Sequence, residues 1–152
     1  MPTAIQGQQV LRATTGFLVT RPAAALPSTT IGSIFTISGG RVLIKSLSGT
    51  VATLLSGTNS TTVGVTPTWN ATSAPAVLSS AGIIPVAAGS PVMSKLDGGA
   101  LVVVVSGGII APTPWLALPG AVTITTASTV TGTVSWELCY VPYDTGASVV
   151  AA

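Results

Sequence analysis

The sequence predicts an all-β fold, an antiparallel β-sandwich or barrel (jelly-roll-like) of about eight to ten short strands. Three observations support this prediction. Thr and Val are abundant and good helix formers are scarce, and the 17 Gly and 11 Pro of the 152 residues interrupt every window long enough for a helix. Apolar and polar residues alternate with a period of two in several segments. Turn residues separate these segments at intervals of about 8–12 residues, as expected of sandwiches and barrels.

The clearest strand signal lies in residues 130–141, with the sequence VTGTVSWELCYV. Its apolar residues alternate with polar ones over eleven positions, which predicts one buried and one exposed face. The apolar set is Val130, Val134, Trp136, Leu138 and Tyr140. Residues 121–126, AVTITT, alternate in the same way, and the short segment 127–129 between the two predicts a hairpin.

A second hairpin is predicted around Gly39 and Gly40, because two adjacent glycines between β-rich runs suit a tight turn with positive φ. Its strands are residues 31–38 and 41–47, and residues 49–55 continue as a separate strand. The apolar run 101–105 predicts a central strand buried on both faces. Weaker strands are predicted at residues 10–20, 61–66 and 76–79.

The chain length fits one β domain over residues 1–152, with a possible N-terminal arm at residues 1–9 and a C-terminal tail at residues 146–152. Neither end carries enough apolar residues to fold alone, so either end could dock on a neighbouring subunit. Cys139 is the single cysteine, so the fold does not depend on an internal disulfide, and Cys139 is expected to be a small packing residue.

The charge is low: five Lys or Arg, three Asp or Glu and no His. A basic nucleic-acid module would need a concentrated positive surface, and a charged disordered chain would lack this many apolar residues. The apolar stretch 99–122 is long enough to cross a bilayer, but Gly107, Gly108, Pro112, Pro114 and Pro119 interrupt it. We therefore expect no nucleic-acid or membrane partner. The N-terminal sequence lacks the pattern of a secretory signal, which predicts synthesis and folding in a cytoplasm.

Few residues could support catalysis. Ser94 and Lys95 are adjacent, so in a strand their side chains would point to opposite faces and could not form a dyad. The three carboxylates are Asp97, Glu137 and Asp144, and Asp144 in the sequence PYDTGA is expected to be a turn residue bonded to its own backbone. We expect a non-enzymatic protein without cofactor or metal ion.

The residues that could contact a partner say more about function than the few that could support catalysis. Arg41 and Lys45 are four residues apart in a predicted strand, so they share a face and repel each other, which is typical of an exposed or partner-facing edge. Trp136 is expected in the core. Trp69 and Trp115 lie in Pro-rich segments, where a tryptophan serves either as an interface anchor or as a cover over one end of the core.

Two segments carry a resemblance to a known group of proteins. IFTISGGRVLIKSLSGTVAT, at residues 34–53 with its Gly39–Gly40 turn, and GTVSWELCYVPYDTGASVVAA, at residues 132–152, resemble small structural proteins of tailed bacteriophages. The resemblance implies a virion protein of the capsid decoration or cement type. It supplies no catalytic residues. An alternative within the same class is a tail, fibre or head-fibre component that attaches to host-surface glycans. A host-surface binding module or enzyme is a third alternative.

The resulting hypothesis is a protein on the capsid surface, assembled in the host cytoplasm, that bridges major capsid subunits and stabilises the shell. Its expected partners are the major capsid protein and copies of itself, with a trimer favoured. A chain with few charges suits permanent contacts, which are larger and more apolar than transient ones. The candidate contact residues are Ile5, Val10, Arg41, Lys45, Trp69, Trp115, Val149 and Val150.

Overall fold

The computed structural model describes residues 14–56, 61–67, 76–79, 86–94, 96, 102–103, 112–126 and 130–152. Eleven strands lie in these residues: β1 (Phe17–Ala25), β2 (Ile31–Ser38), β3 (Val42–Ser56), β4 (Thr61–Pro67), β5 (Ala76–Ser79), β6 (Pro91–Ser94), β7 (Val102–Val103), β8 (Trp115–Ala117), β9 (Gly120–Thr126), β10 (Thr131–Pro142) and β11 (Ser148–Ala151).

The strands form two antiparallel sheets that pack together as a β-sandwich, which confirms the predicted fold class. Sheet A has the order β1-β10-β3-β6-β7, and β8 pairs with the part of β3 nearest its start. Sheet B has the order β11-β2-β9-β4-β5. The core lies between them and is filled by side chains of both sheets, among them Phe35, Ile44, Leu47, Ile124 and Leu138.

The period-two pattern of β10 is confirmed in detail. Its apolar residues Val134, Trp136, Leu138 and Tyr140 are buried in the core, while Glu137 between them is exposed. Trp136 lies opposite Gly49 of β3, and a Cβ added to Gly49 would lie 2.9 Å from the indole ring. The indole ring covers Gly49, so the strand is not interrupted at this glycine. Residues 42–56 therefore form one strand rather than the predicted two.

Both predicted hairpins are wrong. β2 belongs to sheet B and β3 to sheet A, so the Gly39–Gly40 connection crosses from one sheet to the other. β9 and β10 likewise belong to different sheets. In each case the two strands find partners far away in sequence: β2 pairs with β9 and β11, and β3 pairs with β10. Such crossings are how a sandwich connects its two layers.

Two strand positions also differ from the prediction. Within the apolar run 101–105 the structure describes β7, which in the described part of sheet A pairs with β6 alone and so lies last in the order rather than at its centre. The first described strand begins at Phe17 and continues to Ala25, later than the predicted 10–20. The strands predicted at 61–66 and 76–79 are present as β4 and β5.

Candidate interaction surface at the sandwich corner

Two connections cross between the sheets side by side at one corner of the sandwich. β2 pairs with β11 in sheet B, and β3 pairs with β10 in sheet A, so the same two chain segments form a ribbon that bends from one sheet into the other. Residues 39–41 form the bend on one segment, and residues 143–147 form it on the other. The backbone amides of Tyr143 and Asp144 both donate to the carbonyl of Arg41, at 2.9 and 3.2 Å.

Glycine is required where the two bends touch. Gly39 has a φ of 73°, and a Cβ at this position would lie 2.2 Å from the carbonyl oxygen of Gly146. Gly40 has a φ of 147°, and its Cβ would lie 2.7 Å from that of Asp144. A residue with a side chain would meet the strain of positive φ at both positions, together with a clash against the backbone at Gly39 and against the Asp144 side chain at Gly40. The Gly39–Gly40 pair therefore serves close packing between two connections.

Arg41 and Asp144 fasten the corner. The Asp144 carboxylate accepts three hydrogen bonds from Arg41: from the backbone N–H at 2.8 Å, from Nε at 2.8 Å and from Nη2 at 2.7 Å. The guanidinium hydrogen bonds, with the backbone one, lower the pKa of Asp144 from 3.8 to about 2, and the same contact raises the pKa of Arg41. This bidentate geometry is the strong form of an Arg–carboxylate pair. The charge of Arg41 is thus neutralised within the chain.

An aromatic ring stacks on this ion pair, and two exposed leucines lie in or just after the neighbouring strand β8. The guanidinium carbon of Arg41 lies 4.7 Å from the ring centroid of Tyr143, whose side chain is 61% exposed. Leu116 of β8, opposite Leu43 of β3, and Leu118, just after β8, are both exposed. We call Arg41, Leu116, Leu118 and Tyr143 the corner surface. Tyr and Arg are enriched at the centres of protein interfaces, and a rigid stack of the two loses little side-chain entropy on binding.

Among the described residues, the corner brings together no pair of carboxylates suited to glycoside hydrolysis. Asp144 is held by Arg41, and Glu137 lies five residues before Pro142, where β10 ends, which corresponds to about 17 Å of extended strand. Two catalytic carboxyl groups would need to lie about 5–9.5 Å apart. Within the described residues, no group of three His, Cys, Asp or Glu side chains lies close enough to hold a metal ion.

A small cleft opens elsewhere, between the sheets and beside β1. It has a volume of about 120 Å³ and is lined by residues that include Arg21, Pro27, Ile34 and Trp136. Pockets for small molecules usually have volumes of about 300–1,000 Å³, so the corner surface is the better candidate site.

The structure places the predicted contact residues in different environments. Lys45 is not on a sheet edge, because β3 has β10 on one side and β6 and β8 on the other, and Arg41 lies in the bend just before β3. Arg41 is paired with Asp144, and the ammonium of Lys45 donates to the carbonyl of Thr14 at 2.8 Å. Trp115 lies in β8 and packs half-buried against the core, which is the covering role of the two considered for it.

The C-terminal tail does not extend away from the domain. Residues 148–151 form β11, which pairs with β2 of the same chain. Val149 is only 4% exposed and contributes to the core, so its side chain is not accessible to a partner in this structure. Val150 on the opposite face is 53% exposed and remains a candidate. Ile5, Val10, Trp69 and the predicted arm at residues 1–9 lie outside the described residues.

Tyr143, Leu116 and Leu118 were missed in the sequence. The Asp144 turn was identified, but its carboxylate bonds Arg41 rather than its own backbone, and the two residues are 103 positions apart. The available signal was the isolated pair of opposite charges, each beside glycines in a turn. That signal is too weak to connect two distant turns without a structure.

Comparison with known proteins gave no match: no family model, no curated protein and no solved structure is significantly similar to this chain. Of the residues that the structure describes, none form a helix long and apolar enough to cross a membrane.

Proposed function

We propose that this chain is a non-enzymatic structural protein of a bacteriophage virion that decorates the capsid and bridges its major subunits. The single observation that carries the proposal is that the surface has few charges and many exposed large apolar side chains. The eight charged residues of the chain contrast with exposed large apolar and aromatic side chains on several strands. The described exposed set is Phe17, Leu18, Ile31, Leu54, Leu116, Leu118, Tyr143 and Val150.

Such a surface is typical of a protein that is permanently associated with other proteins. Large exposed apolar areas mark interaction sites, and a monomer that exposed them permanently would tend to associate. The resemblance of residues 34–53 and 132–152 to phage structural proteins directs this general property to a virion. These segments include both bends of the corner, so the resemblance and the corner surface involve the same part of the chain.

The corner surface is our candidate contact with the shell. Because Asp144 neutralises Arg41, a partner surface need not supply a counter-charge, and Tyr143 with the two leucines can pack against an uncharged protein surface. A decoration protein repeats its contact at every lattice site, so modest affinity per site is enough to stabilise the whole shell. The same repetition favours symmetric self-association, for which we retain the trimer as the proposed state.

The test is the number of copies bound per capsid, measured by quantitative mass spectrometry and imaging on purified particles that lack this protein. We expect hundreds of wild-type copies at regular positions. Tyr143→Ala should lower the affinity about tenfold, as expected when an interface anchor is truncated. Leu54→Ala, which changes an exposed residue at the other end of β3, is the matched control and should bind normally.

Two other results would contradict capsid decoration. A few or dozens of copies, located at the tail or on fibres, would replace decoration with a tail or fibre role. No binding to any part of the particle would reject the virion hypothesis.

A further inference from the structure

The small cleft beside β1 has a charged side chain at one wall. Arg21 lies opposite Trp136 in the pairing of β1 with β10. Side chains directly opposite each other in an antiparallel pair lie on the same face of the sheet, and Trp136 is buried in the core. The side chain of Arg21 therefore points between the two sheets. It does so at the margin of the sandwich, because β1 stands at one end of the described order of sheet A.

The guanidinium of Arg21 keeps hydrogen-bond donors available. Its Nε donates to the carbonyl oxygen of Ala152 at 2.9 Å, which connects β1 to the chain just after β11. A guanidinium carries five N–H donors in a fixed plane, so the two Nη groups retain four. Among the described residues the one salt bridge joins Arg41 to Asp144, so no described carboxylate neutralises Arg21.

The other walls of the cleft are mainly apolar. On the side of β11, the pairing of β2 stops at Phe35, opposite Ala151, and β2 continues back to Ile31. This part of β2 therefore borders the cleft without a described strand between it and β1. Besides Arg21, the largest side chains that line the cleft are Leu26, Pro27, Ile34, Ile124 and Trp136.

The indole of Trp136 is oriented so that it can report on this space. The ring atoms closest to a Cβ added at Gly49 are Cε3 and Cζ3, at 2.9 and 3.0 Å. The opposite edge of the ring carries the Nε1–H and is turned away from Gly49. Because β10 lies between β3 and β1, that edge is on the side of Arg21.

Size and charge together define the ligand. An apolar cavity of about 150 Å³ takes one benzene molecule, so the cleft of about 120 Å³ suits about five non-hydrogen atoms. A carboxylate matches the planar fork of a guanidinium, and in a partly buried place it needs such a partner. Inorganic phosphate would bring more charge and no apolar part to these walls. The cleft thus fits a carboxylate with a short aliphatic stem.

We propose that this cleft binds a carboxylate group on a short aliphatic stem, with the Nη groups of Arg21 donating to the carboxylate and the stem packed against Ile34 and Trp136. Two sources share this chemistry: a free short-chain acid, and a glutamate side chain presented by another protein. The inference goes beyond the proposed function and does not depend on it, since the corner surface is a different part of the molecule.

Titration with sodium propionate tests the proposal, because propionate has five non-hydrogen atoms and equals the glutamate side chain beyond Cα. Nuclear magnetic resonance of the Trp136 indole N–H and the Arg21 Nε–H follows binding at pH 7 and constant ionic strength, with the Trp115 indole as reference. We expect saturable shifts with a dissociation constant of about 1–10 mM, ordinary for so small a ligand. Propionamide, which lacks the charge, and formate, which lacks the stem, should bind at least about tenfold more weakly.

Three variants locate the site. Arg21→Gln should weaken propionate binding at least about tenfold, because it removes the charged fork. Lys45→Gln is the matched control, since it removes one positive charge on β3 and should leave binding unchanged. Gly32→Ala adds a methyl group 3.2 Å from Cγ of Pro27, so it narrows the cleft and should weaken binding about threefold. Gly32 does not have a positive φ, so alanine is compatible with its backbone.

The amide spectrum of each variant verifies the fold. N-acetyl-glutamic acid α-amide, whose one carboxylate is its side chain, separates the two sources: binding as tight as that of propionate supports a protein side chain, and weaker binding supports a free acid. The absence of saturable shifts at about 100 mM propionate would overturn the proposal. So would undiminished binding by Arg21→Gln, or formate binding as tightly as propionate. None of these results depends on capsid copy number, so failure here leaves the proposed function standing.

Discussion

Different side-chain interactions hold the two ends of the β3–β10 pair together. At the corner, Arg41 and Asp144 form an ion pair with three hydrogen bonds, stacked on Tyr143. At the far end, hydroxyl groups pair across the strands, Thr53 with Thr133 at 2.9 Å and Ser56 with Thr131. One fastening is charged and the other is neutral, although both join the same two strands.

The difference follows from what the backbone needs at each end. At the corner the sheet ladder stops, so the N–H of Arg41 has the Asp144 carboxylate as its acceptor. At the far end the strands remain paired through irregular register, and the hydroxyls only add contacts between side chains. A charged side chain is therefore used where the backbone lacks a ladder partner, and neutral residues suffice where the ladder continues. Three predictions test this contrast.

The largest effect is expected from Gly39→Ala. The new Cβ would clash with the carbonyl of Gly146, and the residue would be held at positive φ, so we expect a loss of about 3 kcal/mol in the free energy of unfolding. Urea denaturation measures this loss. Gly146→Ala is the control within the same corner: its φ is 83° but its Cβ would meet open space, so about 1 kcal/mol is expected. Equal losses would show that backbone strain, and not close packing, sets the requirement.

A smaller effect is expected from Asp144→Asn, which keeps the shape of the side chain and removes its charge. In the wild type the pKa of Asp144 is about 2 in the folded chain and 3.8 in the reference state, so the ionised carboxylate favours folding above pH 4. That contribution is lost as the pH falls from 4 to 2. We expect the thermal midpoint of the variant to be a few degrees lower than that of the wild type at pH 7. Thermal scans across this range should show the difference shrink at pH 2; a constant difference would contradict the ion-pair role.

The smallest effect is expected at the hydroxyl end. Thr53→Val with Thr133→Val replaces both partners by groups of similar shape, so the free energy of unfolding should change by less than about 0.5 kcal/mol. The change should be the same at pH 3 and pH 7 and at low and high salt, because no charge is involved. A double-mutant cycle by urea denaturation gives the coupling between the two hydroxyls. Coupling above about 1 kcal/mol would remove the contrast between the two ends.

The sequence pattern predicted the features that depend on neighbouring residues, such as which face of a strand is buried and where the chain turns. The alternation around Trp136 and Leu138 identified the buried face of β10, because burial of one sheet face imposes the period directly. The Gly39–Gly40 turn was located correctly but assigned to a hairpin, because positive φ is needed both in a hairpin and in a crossing between sheets. Only the pairing of β2 with β11 and of β3 with β10, across most of the chain, decides between them.

The candidate site was harder to predict for the same reason. Arg41 was selected for its charge, yet its partner Asp144 is 103 residues away and could not be connected with it. Val149 and Val150 look alike in sequence, and which one is buried depends on the register of β11 against β2. The all-β character needed no such long-range information.

The ribbon at the corner has a consequence for synthesis. β2 and β3 leave the ribosome well before β10 and β11, since about 90 residues separate the start of β3 from the start of β10. At about 5–20 residues per second, β3 therefore waits roughly 5–20 s for its central partner. During that interval its apolar residues and unpaired backbone groups are accessible to other nascent chains, and non-local pairing of this kind also folds slowly. Expression at lower temperature or with chaperones that bind nascent chains should raise the yield of native protein.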